Sequence, residues 1–509
     1  MTAGRRPVVA VVGGGIAGLA AAWELVRGDV GRGLGAEVHL LESEGRFGGA
    51  LRAAEFAGRS VDLAADAFVA RRPEATDLCA ELGLTPELVP VGAAGAAVWA
   101  RGRLRPLPEG LNLGVPTRWW PLARSGILDP VEALSVAKDL VRPHFATRGV
   151  IGDRAVGAVV EARLGRPVVD RLVDPLIGGI NAGDVDDLSA AAVFPYLLAA
   201  SMQPGSLMRG LGRGLRRSVT RPDAVAARSP VFWSLRTGTA GLAERLSAEL
   251  EGCGVVMRAG VSVDATERRT QEDRGGAEHR RWRLHLRTDP GEVLGADGVV
   301  LAVPAGVAAG LLAEQAPGPA GLLRTIDYAS VAVLTMALAP GAVASPLFGT
   351  GFLVPRTTTL DGARPLVTGV TYLGRKWPHL ARPGDELVRV SVGRFGDVRH
   401  QALDDDELLE AVLTELRHLL GVTCPPLAWR VTRFDRAFPQ YRVGHLIKVA
   451  RIEQGVTALG GMEIAGAAYR GVGIPACIGT GRDAARRLLD FLGTPTTPTA
   501  LPVQGEGSS

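Results

Sequence analysis

The stretch Pro7-Val8-Val9-Ala10-Val11-Val12-Gly13-Gly14-Gly15-Ile16-Ala17-Gly18 reads as a buried strand running directly into a glycine-rich turn. A continuous Val-rich run is what a strand covered on both faces requires. A helical pattern follows, with Leu19, Ala22, Trp23, Leu25 and Val26 on one broad face. Beyond a Gly-rich insertion, Gly28 to Gly35, a second strand runs from Glu37 to Leu41 and ends in Glu42. The spacing G-x-G-x-x-G between strand and helix has a physical reason at each position. Gly13 permits the tight turn, Gly15 lets the backbone approach a pyrophosphate, and Gly18 lets helix and strand pack closely. The helix N-terminus adds free N–H groups and a partial positive charge. Glu42 is placed to accept hydrogen bonds from ribose hydroxyls and disfavours a 2′-phosphate. Together these predict a dinucleotide-binding unit, with a purely structural strand–helix turn as the plain alternative.

Length and composition set the frame around that unit. The 509 residues predict two or three folded units. Apolar residues make up 47% and charged residues 22%, which supports a large core and excludes global disorder. Only Lys138, Lys376 and Lys448 are lysines among 57 basic residues, a coding bias rather than a binding adaptation. A net charge of +4 with interleaved acids argues against nucleic acid, and the basic run Arg213 to Arg217 reads as a solvated face. Cys79, Cys253, Cys424 and Cys477 are far apart, with no CxxC and no His cluster. That argues against a disulfide framework and a metal site, and fits a reducing cytoplasm. No signal peptide or membrane span stands out. The most apolar later segment, Leu188 to Met202, contains Pro195 and is too short to cross a bilayer, so it reads as a buried helix.

The residues after the second strand refine the ligand. Glu42-Ser43-Glu44-Gly45-Arg46-Phe47-Gly48-Gly49 resembles the E-x-x-x-R-x-G-G signature of the flavin amine oxidase superfamily, which implies FAD. By that resemblance Arg46 lies by the pyrophosphate or sugar, and Gly48-Gly49 lets the chain pass the flavin. A helix from about Gly241 to Leu250, a strand from Gly254 to Val263, a hairpin strand Trp282 to Leu286 and a buried strand Gly298 to Val303 follow. At the C-terminal end, Val456 to Gly460 reads as a strand and Ala476 to Leu489 as a helix. Between them lies a second Gly-rich turn, Gly466 to Pro475. Its helix N-terminus would face the flavin pyrimidine, where negative charge develops on reduction. Helices at Val131 to Leu140 and Leu403 to Leu420, and strands at Val331 to Ala337 and Leu387 to Val392, fall in material with no cofactor signature. The tail Gly493 to Ser509 and the polar insertion Thr266 to Arg280 read as unstructured or extra.

The string GAAYRGVGIPAC, Gly466 to Cys477, resembles the terminal motif of the protoporphyrinogen/coproporphyrinogen oxidases. Three further segments agree: GFLVPR at Gly351 to Arg356, PQYRVGH at Pro439 to His445, and LAADAFVARRPEATDLCAELGL at Leu63 to Leu84. Two departures stand out. Members commonly have Gly-Pro where this chain has Ala64-Ala65, and Asp where it has Ala476. The resemblance implies an α/β fold: a Rossmann-like FAD-binding domain of the glutathione-reductase type, with an inserted α+β substrate-binding domain and a helical subdomain. The expected division is 1–70, 236–304 and 442–491 for FAD; 71–235 helical and substrate-binding; 305–441 a substrate-binding sheet; and 492–509 a disordered tail. FAD is expected against Gly13, Gly14, Gly15, Ile16, Ala17, Gly18, Glu42, Ser43, Arg46, Gly49, Ala50, Ala64, Ala65, Asp66, Ala67, Val261, Ala467, Val472, Gly473 and Ile474. Val261 would meet the adenine through its backbone.

The activity implied is oxidation of a porphyrinogen to a porphyrin with FAD and molecular oxygen, releasing hydrogen peroxide. Such a substrate has carboxylate arms around an apolar macrocycle, so cations at a rim and apolar walls are expected. By the resemblance Arg72, at the position where Gram-positive-type members carry a basic residue, is the first candidate for the rim and Arg71 the second, with two surface arginines ahead of Pro73 the competing reading; an Arg fork holds a carboxylate bidentately. Phe352, Tyr372, Leu353 and Phe68 are candidates for the walls, with core packing the competing reading for each. His445 reads either as a base or as a hydrogen-bonded structural residue, and no catalytic residue is assigned. Coproporphyrinogen III is the first expectation and protoporphyrinogen IX the alternative. A flavin amine oxidase, a carotenoid-type desaturase and a noncatalytic flavin-binding protein share the N-terminal motif and stay open. The apolar segment Leu188 to Met202 leaves contact with a membrane surface open, and the resemblance leaves open hand-off of product to a ferrochelatase.

Overall fold

The computed structural model describes residues 6–141, 152–219, 230–269 and 281–493. The N-terminal run forms β1 (Val8–Val12), buried along its whole length. The reason is visible in its two faces. Val9 and Val11 pack with α1 (Ile16–Arg32), while Val8, Ala10 and Val12 pack on Trp282, Leu284 and Leu286 of a three-stranded antiparallel sheet. Parallel to β1 lie β2 (Glu37–Glu42), β3 (Val256–Ala259), β4 (Gly298–Leu301) and β5 (Met462–Ile464), in the order β3-β2-β1-β4-β5. Helix α2 (Gly238–Gly252) and the C-terminal α3 (Ile474–Gly493) complete the layer beside α1. A five-stranded parallel sheet is thus assembled from three separate parts of the chain.

A second, seven-stranded sheet lies beyond it. Its order runs Ala428–Pro439, Tyr328–Leu338, Glu386–Val392, Val367–Tyr372, Gly351–Leu353, Ala97–Ala100, Arg103–Pro106. The last two strands come from 71–235, the stretch expected to be helical and substrate-binding. Strand alternation sorts the side chains onto two faces. Ala332, Leu334, Met336, Val388, Val390 and Val392 pack against the helix Asp405–Leu420. Ala329, Val331 and Val333 point the other way, toward Leu63 and Ala64. A third cluster, centred on Val136, Val160, Leu172 and Leu197, holds the helical part together.

Several expectations are corrected. The strand read at Val456 to Gly460 is the end of a helix, His445–Thr457, whose Val449, Ile452 and Val456 recur at helical spacing and are buried. The strand is Met462–Ile464, directly after Gly460 and Gly461, both at positive φ. The single strand read at Gly254 to Val263 breaks at Gly260, φ +74. Its first half joins the parallel sheet as β3, and Ser262–Arg268 leaves for the antiparallel one. Thr266 to Arg268 are therefore strand rather than insertion, while 270–280 and the tail 494–509 lie outside the described residues. Leu188 to Met202 is not one buried helix but two short ones, Ala190–Val193 and Pro195–Ser201, and Tyr196 is 74% exposed. Arg213 is exposed; the side chains at 215–219 lie outside the described ones.

Candidate functional site

The turn after β1 is built as the spacing requires. Gly13 donates to the Leu41 carbonyl at 2.8 Å, tying the turn to β2. A Cβ on Gly18 would stand 1.8 Å from the Gly13 carbonyl oxygen, so nothing larger than glycine fits where helix meets strand. Gly15 is different: a Cβ there would meet nothing within 4 Å. The N–H groups of Ile16, Ala17 and Gly18 have no intrahelical acceptor, and no side chain caps them. A cradle of this kind, open and lined by N–H groups at a helix N-terminus, fits a pyrophosphate.

The rest of the signature closes on this cradle. Glu42, 9% exposed, accepts the Gly14 N–H at 2.7 Å through Oε2, and the Glu44 N–H (2.7 Å) and Ser43 hydroxyl (3.1 Å) through Oε1. The Gly48 N–H reaches the Gly14 carbonyl at 2.8 Å, and Gly49 packs against Gly15. Arg46 ties down its own loop through the carbonyls of Phe47 and Gly49, with Ala50 next in line. The N–H of Val261 goes to the Glu42 carbonyl at 2.8 Å, so only its carbonyl is left for an adenine.

The second turn arrives at the same place from the other end of the chain. Gly466 donates to the Thr480 hydroxyl at 3.0 Å. Tyr441 Oη donates to the Ala467 carbonyl and accepts the Gly471 N–H at 2.8 Å. Val472 and Gly473 then lead into α3, which starts at Ile474. Arg72 stands beside Gly471, half-exposed and paired with Glu74 at 2.7 Å. Arg71 is exposed. Cys477 is buried, and burial pushes its thiol up to about 12, against the pull of Arg72. Such a thiol packs rather than reacts.

The segment Asp62 to Ala67 runs between the two sheets. Asp62 caps α2, accepting the Thr239 and Ala240 N–H groups at 2.9 and 3.1 Å, and its burial pushes it up to about 6. The Thr239 hydroxyl holds the Ala65 carbonyl at 2.6 Å, and Arg389 holds that of Ala64 at 3.0 Å. Asp66, expected at the cofactor, spends its carboxylate on Lys376 (2.8 Å), Trp377 (3.0 Å) and Arg389 (3.4 Å). Burial opposes its ionisation, but Lys376 and Arg389 hold it well below the usual carboxylate range.

Two expected wall residues are corrected. Phe352 and Tyr372 are 2% and 1% exposed and point to the helix side of the large sheet. Strand parity puts them behind it. Leu353, one residue on, points the other way, toward Gly179. Phe68 is core of the parallel-sheet layer. His445 is structural: it is buried, its ring lies 3.9 Å from that of Tyr441, and its Nε2 meets the Tyr469 carbonyl at 3.0 Å. Arg389, Lys376, Trp377 and Thr239 lie outside every motif of the sequence. Arg389 carried a signal, a charge inside the apolar run Leu387 to Val392.

The sequence profile of the flavin-containing amine oxidoreductases matches residues 16–489, almost the whole chain. The chain belongs to that family. It is an FAD-dependent oxidoreductase. Among relatives in this family, coproporphyrinogen III oxidase of Bacillus subtilis (strain 168) is 31% identical over 97% of this chain and 100% of its own. Coproporphyrinogen III oxidase of Propionibacterium freudenreichii subsp. freudenreichii is 34% identical over 96% and 92%. Protoporphyrinogen oxidase of Bos taurus is 30% identical over 94% and 98%. Among solved structures, a putative protoporphyrinogen oxidase from Exiguobacterium sp. 255-15 superposes with a TM-score of 0.80 at 30% identity, covering 96% of this chain and 100% of that one. Cyclohexylamine oxidase from Brevibacterium oxydans IH-35A, at 16% identity and TM-score 0.64 over 96% and 100%, shares the fold. No described helix is long and apolar enough to cross a membrane.

Proposed function

We propose that this protein is a coproporphyrinogen III oxidase, removing six hydrogens from the porphyrinogen in three two-electron steps. Three molecules of oxygen are reduced to three of hydrogen peroxide, which balances the reaction. The observation that carries the reading is an apolar face of the large sheet turned toward the segment Leu63–Ala64. Val331, Val333 and Phe434 form it, with Leu63, Ala64 and Ala182 opposite and Phe395 and Phe438 alongside. Arginines edge it: Arg52 lies over Phe434 at 4.8 Å and Arg442 over Phe395 at 4.9 Å. An apolar macrocycle with carboxylate arms needs both features.

FAD, when bound, accepts hydride from carbon and passes the electrons to oxygen. The chain's own residues do the rest. The N–H groups of Ile16, Ala17 and Gly18 and the carboxylate of Glu42 would hold the pyrophosphate and ribose. The N-terminus of α3, steadied by Tyr441 and Thr480, would place partial positive charge at the pyrimidine. The sheet face excludes water, and Arg72 at the second turn is a rim cation within reach of a carboxylate. Hydride removal acidifies the pyrrole N–H, so the reading assigns no side chain as base.

The same reading takes in a glutathione-reductase-type FAD domain made of 1–70, 236–304 and 442–491, with 71–235 and 305–441 serving the substrate. Four free cysteines support a reducing cytoplasm. The porphyrin product suits transfer to a ferrochelatase. Protoporphyrinogen IX is the second reading, favoured by the Bos taurus relative. Steady-state assay of the purified flavoprotein on both porphyrinogens tests the choice: a clearly larger kcat/KM for the two-propionate substrate overturns coproporphyrinogen III.

A further inference from the structure

Arg52 follows the glycine signature and precedes a hairpin, Ala53–Phe56 with Arg59–Asp62. Its backbone is fixed, the carbonyl accepting the Leu63 N–H at 2.8 Å. Its side chain is half-buried, the guanidinium carbon 4.8 Å from the centre of the Phe434 ring, and its Nε is buried with no hydrogen-bond partner. Among the described residues no carboxylate lies within ion-pair distance of it. Arginines that are buried in this protein share an unpartnered Nε in several cases but have a carboxylate at their terminal nitrogens. Arg59 meets Asp385, Arg389 meets Asp66, Arg163 meets Asp139, and Arg482 meets Glu81.

A half-buried guanidinium whose Nε is shielded from water and has no acceptor leaves a donor that the fold itself does not satisfy. The surroundings sharpen the point, because Ala54, Leu63, Ala64, Val331 and Val333 around Phe434 offer it no acceptor side chain. A guanidinium lying over an aromatic ring still presents its edge N–H groups, which match a carboxylate bidentately. Ala50, expected at the flavin, is two residues away along the chain. An anion brought by a ligand with an apolar body, lying along Val331 and Val333 beside Phe434, would complete the site.

We propose that Arg52 is a substrate-binding residue that takes one carboxylate arm of the tetrapyrrole. The inference rests on the porphyrinogen oxidase reading above and adds a specific contact to it. The test compares wild type with Arg52→Met, which keeps the apolar stem, and Arg52→Lys, which keeps the charge without the fork. Titration with coproporphyrin III, followed by quenching of its fluorescence, should show binding weakened roughly ten- to hundredfold in Arg52→Met and less in Arg52→Lys. KM for coproporphyrinogen III should rise in parallel, with kcat within about threefold of wild type and flavin absorbance near 450 nm unchanged. Equal porphyrin affinity in wild type and Arg52→Met overturns the proposal. Loss of flavin from a folded Arg52→Met overturns it too, because the residue then serves the cofactor. Wild type that holds flavin, binds porphyrin through Arg52 and oxidises neither porphyrinogen would instead sink the broader reading alone.

Discussion

Arg389 reaches out of the large sheet to place its Nη1 3.4 Å from Oδ2 of Asp66, joining the sheet to the segment that passes the proposed flavin site. It can do so because Val388 and Val390 on either side point to the helix layer, leaving Arg389 on the opposite face. Its other nitrogen donates to the Asp62 carbonyl, and Lys376 and Trp377 complete the cage around Asp66. This cage positions Leu63 and Ala64 against the apolar sheet face.

Removing the anion from the cage should therefore cost stability as well as activity. Asp66→Ala leaves Arg389 buried without its counterion and is expected to destabilise by about 3–5 kcal/mol. Urea unfolding of both proteins checks this. A loss under about 1 kcal/mol would mean that water has replaced the carboxylate.

Gly15 and Gly18 should separate folding from cofactor binding. A side chain at Gly15 meets open space, so Gly15→Val should fold with a near-wild-type Tm but fail to hold FAD, its methyl groups filling the cradle. Gly18→Val drives carbon into the Gly13 carbonyl and should lose several kcal/mol or not fold at all. Thermal melts and absorbance near 450 nm on each variant distinguish the two. Retention of flavin by Gly15→Val contradicts the placement of the pyrophosphate.

Tyr441 acts through the second turn. Tyr441→Phe leaves the Gly471 N–H without an acceptor and the Ala467 carbonyl without a donor. The expected result is a folded protein with FAD affinity weakened roughly five- to thirtyfold and a shifted flavin midpoint potential. Unchanged affinity and potential would show that the turn holds its shape without the phenol.

His445 predicts a pH dependence of stability. Burial pushes its pKa down to about 4, with the Tyr469 hydrogen bond opposing. The unfolded chain titrates near the ordinary value of ~6.5. As pH falls the unfolded state takes up the proton first, so stability is fully present above the unfolded value and lost as pH drops through the folded one. Between pH 7 and pH 4 wild type should lose roughly 2–3 kcal/mol more than His445→Gln. Parallel pH profiles for the two proteins would assign the acid sensitivity to other groups.

Much of the first glycine turn was legible in the sequence because it is local. Turn, helix N-terminus and acid lie within Gly13 to Gly49, where spacing along the chain sets spacing in three dimensions. The second turn was legible for the same reason. Strand boundaries were read less well at Gly260 and at Gly460-Gly461, where a run of Val and Gly does not reveal which residue takes positive φ. The Val456 region reads as strand from composition, yet its burial follows helical periodicity once the helix has a surface to pack on.

The sequence by itself therefore determined the family, the parallel sheet's first unit and the dinucleotide cradle, all set by near neighbours and backbone sterics. Tertiary structure alone decided which face of the large sheet meets Leu63 and Ala64. Phe352 and Tyr372 fall behind that sheet, and Phe434, Arg389 and Arg52 in front of it. The physical reason is strand pairing across long sequence separations: register and parity, not residue type, choose the side on which a side chain emerges.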